Sequence, residues 1–299
     1  MRRLKTQAAK KSLLRRVRRQ RLKYVTILPS LLTILNGVCG FAAIVYASKG
    51  AFVVAGYMVL LAMLADMLDG RLARRVKSTS SFGGQLDSLC DVISFGVAPA
   101  FLMVKVLEYE LESAGFANGS FLQRFPWLMA AVYISCAAIR LARFNVENEE
   151  DESAHMSFIG LPTPAAAGVM VSVIILHQEE FSTLNAIIYV LPVLALGVAV
   201  LMVSRIRYPH VLNQYLRGQK PFAHLIRMLL LLAFVIWNMQ AALVLIFCGF
   251  AASSFLKWFF YKVIRNKENL VTETQHPALM TVNEGQVGEQ DDSASEAEH

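Results

Sequence analysis

Four aspartates carry the chemistry most plainly written in this sequence. Asp66 and Asp69 stand three residues apart in Leu64-Ala65-Asp66-Met67-Leu68-Asp69-Gly70-Arg71-Leu72-Ala73-Arg74, and Asp87 and Asp91 stand four apart after a polar stretch containing Gly83-Gly84. On helices, spacings of three and four put each pair on one face. A short turn makes the two helices antiparallel neighbours, so the four carboxylates converge. Like charges this close repel unless something positive sits among them. An all-oxygen donor set favours a hard divalent cation such as Mg2+, Mn2+ or Ca2+. Two such ions can clamp a pyrophosphate and stabilise charge on a departing phosphate. Gly70 and Ala73 keep their helix face bare, so a flat group can approach the backbone, and Arg74 is suited to pair with phosphate.

The surroundings make these acids expensive. The chain has 299 residues, of which 56% are hydrophobic and 17% charged, and its mean hydropathy is +0.47. Soluble domains run at about 45–50% apolar and about 25% charged. A soluble globular enzyme, a disordered protein and a disulfide-stapled secreted domain are thereby excluded. The apolar residues fall in blocks of roughly 18–24, the length that crosses a bilayer. A single aspartate at a membrane boundary reads as a helix cap, but that reading does not explain four at this spacing. Acids inside membrane segments are rare and mark function.

The expected fold is an all-α, polytopic membrane helix bundle. Eight candidate spans run at roughly 26–47, 51–72, 86–107, 127–146, 160–177, 185–204, 222–238 and 241–262, the last two joined by a tight turn at Asn238-Met239-Gln240. Residues 1–24 read as a basic juxtamembrane helix, 25–265 as the membrane-embedded catalytic domain and 266–299 as an acidic cytoplasmic tail without a core. Residues 1–23 hold eleven Lys/Arg and no acid, whereas 268–299 hold eight Asp/Glu and no base. Positive charge beside membrane spans points to anionic lipid headgroups as partners and away from nucleic acid. Arg71, Arg74, Arg75, Lys77, Arg140, Arg143, Arg205 and Arg207 join the basic arm on one side. The excess of Lys/Arg there places both termini and the aspartates on the cytoplasmic side. Cys39, Cys90, Cys136 and Cys248 lie in apolar blocks without a CxxC pair and read as small buried hydrophobes.

The full spacing is Asp66-x2-Asp69-Gly70-x2-Ala73-Arg74-x8-Gly83-x3-Asp87-x3-Asp91. At about 6% per residue type, chance agreement at eight positions is on the order of 10⁻¹⁰ per starting point. This pattern resembles the signature of the CDP-alcohol phosphatidyltransferase family, whose members move a phosphatidyl or similar group from a CDP-linked donor to an alcohol and release CMP. The resemblance implies a six-helix family core, here followed by a C-terminal hairpin, and a homodimer. It implies that Asp66, Asp69, Asp87 and Asp91 hold two divalent ions, Mg2+ or Mn2+, and that Asp91 is the general base. It makes Gly70, Ala73, Arg74 and Gly83 the CDP-diacylglycerol face, with Gly83 at the turn. Thr33 and Asn36 are further candidates for that face. Where many relatives carry Asn after the first-span proline, this chain has Ser30.

Four further segments resemble the serine-accepting, integral-membrane bacterial and archaeal branch of the family: Ile93–Pro99, Ala138–Asn145, Gly160–Gly168 and Met202–Pro209. L-serine carries a free carboxylate and ammonium. Arg140 and Arg143 lie three apart on one helix face, on the same side as the aspartates, and a guanidinium is well shaped to hold a carboxylate. With Asn145 they form the candidate serine site; anchoring of the helix end is the competing role. Glycerol 3-phosphate, inositol phosphate and choline remain alternative acceptors. A transporter or channel would also use intramembrane carboxylates, but has no need of Gly70, Ala73 and Gly83 at fixed spacing.

Overall fold

A computed structural model of the chain describes residues 29–76, 81–115, 121–150, 158–181, 186–204, 207–208, 238–253 and 256. The basic arm, the acidic tail, Lys77, Arg205, Lys220 and most of the seventh expected span lie outside the described residues. Two compact units divide the chain at Ala251, and the description below concerns Met1–Ala251.

The structure is built from helices in chain order: α1 Pro29–Ser48, α2 Phe52–Val76, α3 Ser81–Asp91, α4 Ala98–Ser113, α5 Phe121–Glu150, α6 Thr163–Glu180 and α7 Ile187–Val203, and then α8 Met239–Ser253. Among the described residues, four stretches are long and apolar enough to cross a membrane: Pro29–Ser48, Phe52–Ala73, Phe82–Ser113 and Arg124–Val146. Ile187–Val203 and Met239–Ser253 are shorter apolar helices. The third stretch is longer than the sequence implied, because α3 runs into α4 through a π-helical turn at Val92–Val97.

That composite helix is the centre of the bundle. Of its apolar window 67% is buried, against 33–39% for the other three stretches. Its second half packs on α2, α5, α6 and α7, and Phe95, Leu102, Met103, Val106 and Leu107 are fully buried there. The outer helices turn large apolar groups such as Leu61, Leu64, Trp127, Leu128 and Val193 outward, as a lipid-facing surface requires. Small residues let the helices approach, a device common in membrane bundles. On α2, Ala55, Val59 and Ala62 form a fully buried stripe. Pro164 opens α6 at its first turn, while Pro126 and Pro192 sit inside α5 and α7.

Among the described residues, one feature departs from all-helical structure. Phe158–Ile159 (β1) pairs antiparallel with Arg207–Tyr208 (β2), and Leu161 N–H donates to Leu201 C=O at 3.0 Å. Gly160 makes this possible. Its φ is +86°, and a Cβ there would run into the Met202 carbonyl. The connection entering α6 is thereby tied to the end of α7.

Candidate active site

The aspartates stand where α2, α3 and α1 meet. Asp66 and Asp69 lie in the penultimate turns of the apolar part of α2, and Asp87 and Asp91 lie on the last turns of α3. One carboxylate oxygen each from Asp66, Asp69 and Asp87 falls within 4.8 Å of the others. Asp69 is only 4% exposed and Asp91 8%. Asp91 follows Asp87 by one helical turn on α3 and is held by the Asn36 amide. Asp91 stands outside the close trio.

Helix α1 supplies the polar groups that meet them. Thr33 Oγ1 lies 2.9 Å from Asp69 Oδ2 and 3.1 Å from the Pro29 carbonyl one turn back. Asn36 Nδ2 donates to Asp91 Oδ1 at 2.9 Å. The Ser94 hydroxyl donates to the Asn36 carbonyl at 2.9 Å, fastening α1 to the π-helical turn. Turns of this kind recur at functional sites, and this one begins at the residue after Asp91.

The trio suits a divalent cation on the chemistry of its donors. Three hard carboxylate oxygens are gathered at one point, and Asp87 Oδ1 is buried without a hydrogen-bond partner. An unpartnered buried carboxylate oxygen is costly unless a cation or donor meets it. Gly70 leaves the required room, since a Cβ built on it would meet nothing within 4 Å. Ala73 is half-buried one turn on, and Arg74 follows it on α2. Gly83 lies in the first turn of α3 and not in the connection before it, because that helix already begins at Ser81.

The candidate acceptor side is built by α5 and α6. Arg140 is 8% exposed and donates through Nη1 to Thr163 Oγ1 at 3.2 Å. Its guanidinium lies over the Phe144 ring at 5.5 Å and acts electrostatically on Asp66. Arg143 is half-buried on the same helix. Asn145 Nδ2 donates to Ser88 Oγ at 2.9 Å, which joins α5 to α3 beside Asp87. Thr163 and Ser88 were not singled out in the sequence. Ser88 had one available signal, its place next to Asp87, and Thr163 lies within the Gly160–Gly168 segment, between Pro162 and Pro164.

His177, on the side away from the aspartates, has a structural role that its position in the sequence does not disclose. It is buried, and its Nε2 lies 3.1 Å from Glu110 Oε1, to which Gln178 also donates at 3.1 Å.

The family model for CDP-alcohol phosphatidyltransferase matches residues 26–204. The CDP-diacylglycerol–serine O-phosphatidyltransferase of Helicobacter pylori is 38% identical over 188 residues, covering 62% of this chain and 72% of that protein. The protein of the same name from Methanocaldococcus jannaschii is 33% identical over 192 residues, covering 64% and 78%. That of Bacillus subtilis is 33% identical over 183 residues, covering 61% and 90%. Among solved structures, the phosphatidylinositol phosphate synthase of Mycobacterium tuberculosis with CDP-DAG bound matches at 22% identity and a TM-score of 0.42, covering 60% of this chain and 87% of that one.

Proposed function

The chain belongs to the CDP-alcohol phosphatidyltransferase family, and on that premise we propose that it transfers the phosphatidyl group of CDP-diacylglycerol to the hydroxyl of L-serine. The products are phosphatidylserine and CMP. The observation that carries the reading is the meeting of three carboxylates, with the fourth aspartate of the pattern held by Asn36 on the same helix as Asp87. The names of the relatives from three organisms support serine as the acceptor.

Each residue then has a task. Asp66, Asp69 and Asp87 would hold divalent cations, Mg2+ or Mn2+, two in number. Bound there, such cations would neutralise charge on the donor's pyrophosphate and on the departing CMP. Asp91 accepts the proton of the serine hydroxyl, which is a poor nucleophile without a positioned base. The hydroxyl oxygen attacks the β-phosphorus in line. A new P–O bond forms to serine, the P–O bond to CMP breaks, and the electron pair leaves on CMP. Gly70 and Ala73, with Arg74 beyond them, give the donor a bare helix face and a phosphate partner. Arg140, with Arg143 and Asn145, holds the serine carboxylate. A phosphorylated acceptor would call for a denser basic pocket than two arginines.

We further propose eight spans, both termini and the site on the cytoplasmic side, a homodimer, and anionic lipid headgroups against the basic arm. The membrane-embedded domain of 25–265 would carry the chemistry alone, the arm and tail lying outside it.

The deciding assay uses the purified full chain with CDP-diacylglycerol, Mn2+ or Mg2+, and a panel of serine, glycerol 3-phosphate, inositol phosphate and choline, following CMP. Serine-dependent CMP release is expected. CMP release only with another alcohol would overturn the acceptor, and no CMP with any alcohol would overturn the enzyme reading in favour of an ion-conducting or transporting role.

A further inference from the structure

Thr33 and Asn36 entered as candidates for lining the donor site, but their polar atoms are directed at carboxylates. We propose that they are positioning residues that divide the four aspartates between two tasks. Thr33 aims Asp69 into the cation trio, and Asn36 holds Asp91 apart from it as the proton acceptor. This assignment deepens the transfer reading above and rests on it.

The geometry of α1 supports the division. Thr33, Asn36, Gly37 and Gly40 recur at spacings of three, four and seven, which is one helix face. Asn36 is fully buried and Thr33 6% exposed, whereas Leu31, Ile34, Leu35, Val38 and Phe41 on the remaining faces are exposed. The two glycines bring that face against the composite helix. A Cβ on Gly37 would lie 2.9 Å from Cys90 Sγ, and one on Gly40 would lie 2.7 Å from Ser94 Cα. At that separation the Asn36 amide reaches Asp91 Oδ1 on the composite helix, at 2.9 Å, while Thr33 meets Asp69 Oδ2 on α2, also at 2.9 Å.

A carboxylate held by a donor has its orientation restricted. Asp69 contributes to the group within 4.8 Å, and Asp91 does not. The Thr33 hydroxyl is placed between Asp69 Oδ2 and the Pro29 carbonyl, whereas the Asn36 amide donates to Asp91, so the two carboxylates differ both in their donor and in what they face. Partners of this kind typically change metal affinity or activity by about 10- to 100-fold when removed. The two residues are therefore expected to fail differently.

The experiment uses the detergent-purified full chain with Thr33→Val, Thr33→Ser, Asn36→Leu and Asn36→Ala. Mn2+ affinity is measured directly from the resonance signal of free Mn2+, and CMP release gives kcat and KM. Thermal unfolding selects the folded Asn36 variant. Thr33→Val is expected to weaken Mn2+ binding by at least about tenfold, and Thr33→Ser to restore it. The Asn36 variant is expected to bind Mn2+ like wild type while kcat falls by at least about 30-fold with both KM values unchanged. Wild-type Mn2+ affinity in Thr33→Val overturns the role of Thr33. Undiminished kcat in the Asn36 variant, or a parallel loss of Mn2+ affinity, overturns the role of Asn36. Wild-type protein that binds Mn2+ and releases no CMP overturns the transfer reading and the Asn36 role with it, and Mn2+ affinity alone then decides Thr33.

Discussion

Arg140 donates through Nη1 to Thr163 Oγ1 at 3.2 Å, joining α5 to the first residue of α6 in the buried interior. A buried guanidinium keeps its charge, so it must be met by acceptors. Thr163 supplies one, the Phe144 ring lies beside it, and the charge reaches Asp66. The serine carboxylate proposed for this side of the site would lie against the same guanidinium.

Arg140→Ala is therefore expected to raise the KM for serine while leaving that for CDP-diacylglycerol nearly unchanged. A hydrogen bond to a charged group contributes about 1.5–3 kcal/mol, or roughly 10- to 150-fold. Arg140→Lys should recover only part, since the planar fork is lost. Steady-state CMP release at varied serine checks this, and an unchanged serine KM would remove Arg140 from the acceptor site.

Asp91→Asn keeps the shape of the side chain and removes its capacity to take a proton. Turnover should fall by roughly 10²–10⁴-fold, the usual share of a positioned general base, with the protein folded and Mn2+ still bound at the trio. Single-turnover CMP release beside a Mn2+ titration separates the two effects. Loss of Mn2+ binding in step with turnover would make Asp91 a principal ligand instead.

Asp87→Asn removes charge from the trio at the residue whose Oδ1 has no partner. Mn2+ affinity should fall by at least about tenfold, and a chelator should abolish CMP release from wild type reversibly on adding back Mg2+ or Mn2+. Activity undisturbed by the chelator would contradict a divalent-cation site.

The helical architecture, four of the expected spans and the close approach of Asp66, Asp69 and Asp87 were legible in the sequence because each rests on a short-range rule. Bilayer-length apolar blocks give spans, and spacings of three and four give shared faces. The partners of the cluster were less legible. Thr33 shows its role only when α1 meets α2 and Asn36 only when α1 docks on α3, and nothing local says that Gly37 and Gly40 permit that docking. The β1–β2 pairing joins residues almost fifty positions apart, and two-residue strands carry no period. Gly83 was placed in a turn because glycine usually marks one, yet α3 begins before it. The meeting of His177 with Glu110, sixty-seven positions earlier, has no local signal in the sequence.

That last pair gives a prediction that separates stability from chemistry. Glu110 accepts from Gln178 and faces His177 where α4 packs on α6, and both Glu110 and His177 are about 5% exposed. Nineteen residues separate Glu110 from Asp91 along the composite helix, or about 28 Å at 1.5 Å per residue. Glu110→Ala leaves His177 and Gln178 without their shared acceptor. A buried polar group stripped of its partner costs about 1–3 kcal/mol. Thermal unfolding in detergent should therefore move to lower temperature, while kcat and both KM values measured well below the transition stay within about twofold, since no reacting group is near. Glu110→Gln retains an acceptor oxygen and should recover much of the loss. A change in serine or CDP-diacylglycerol kinetics without a change in unfolding temperature would show that this buried cluster communicates with the aspartates across the bundle.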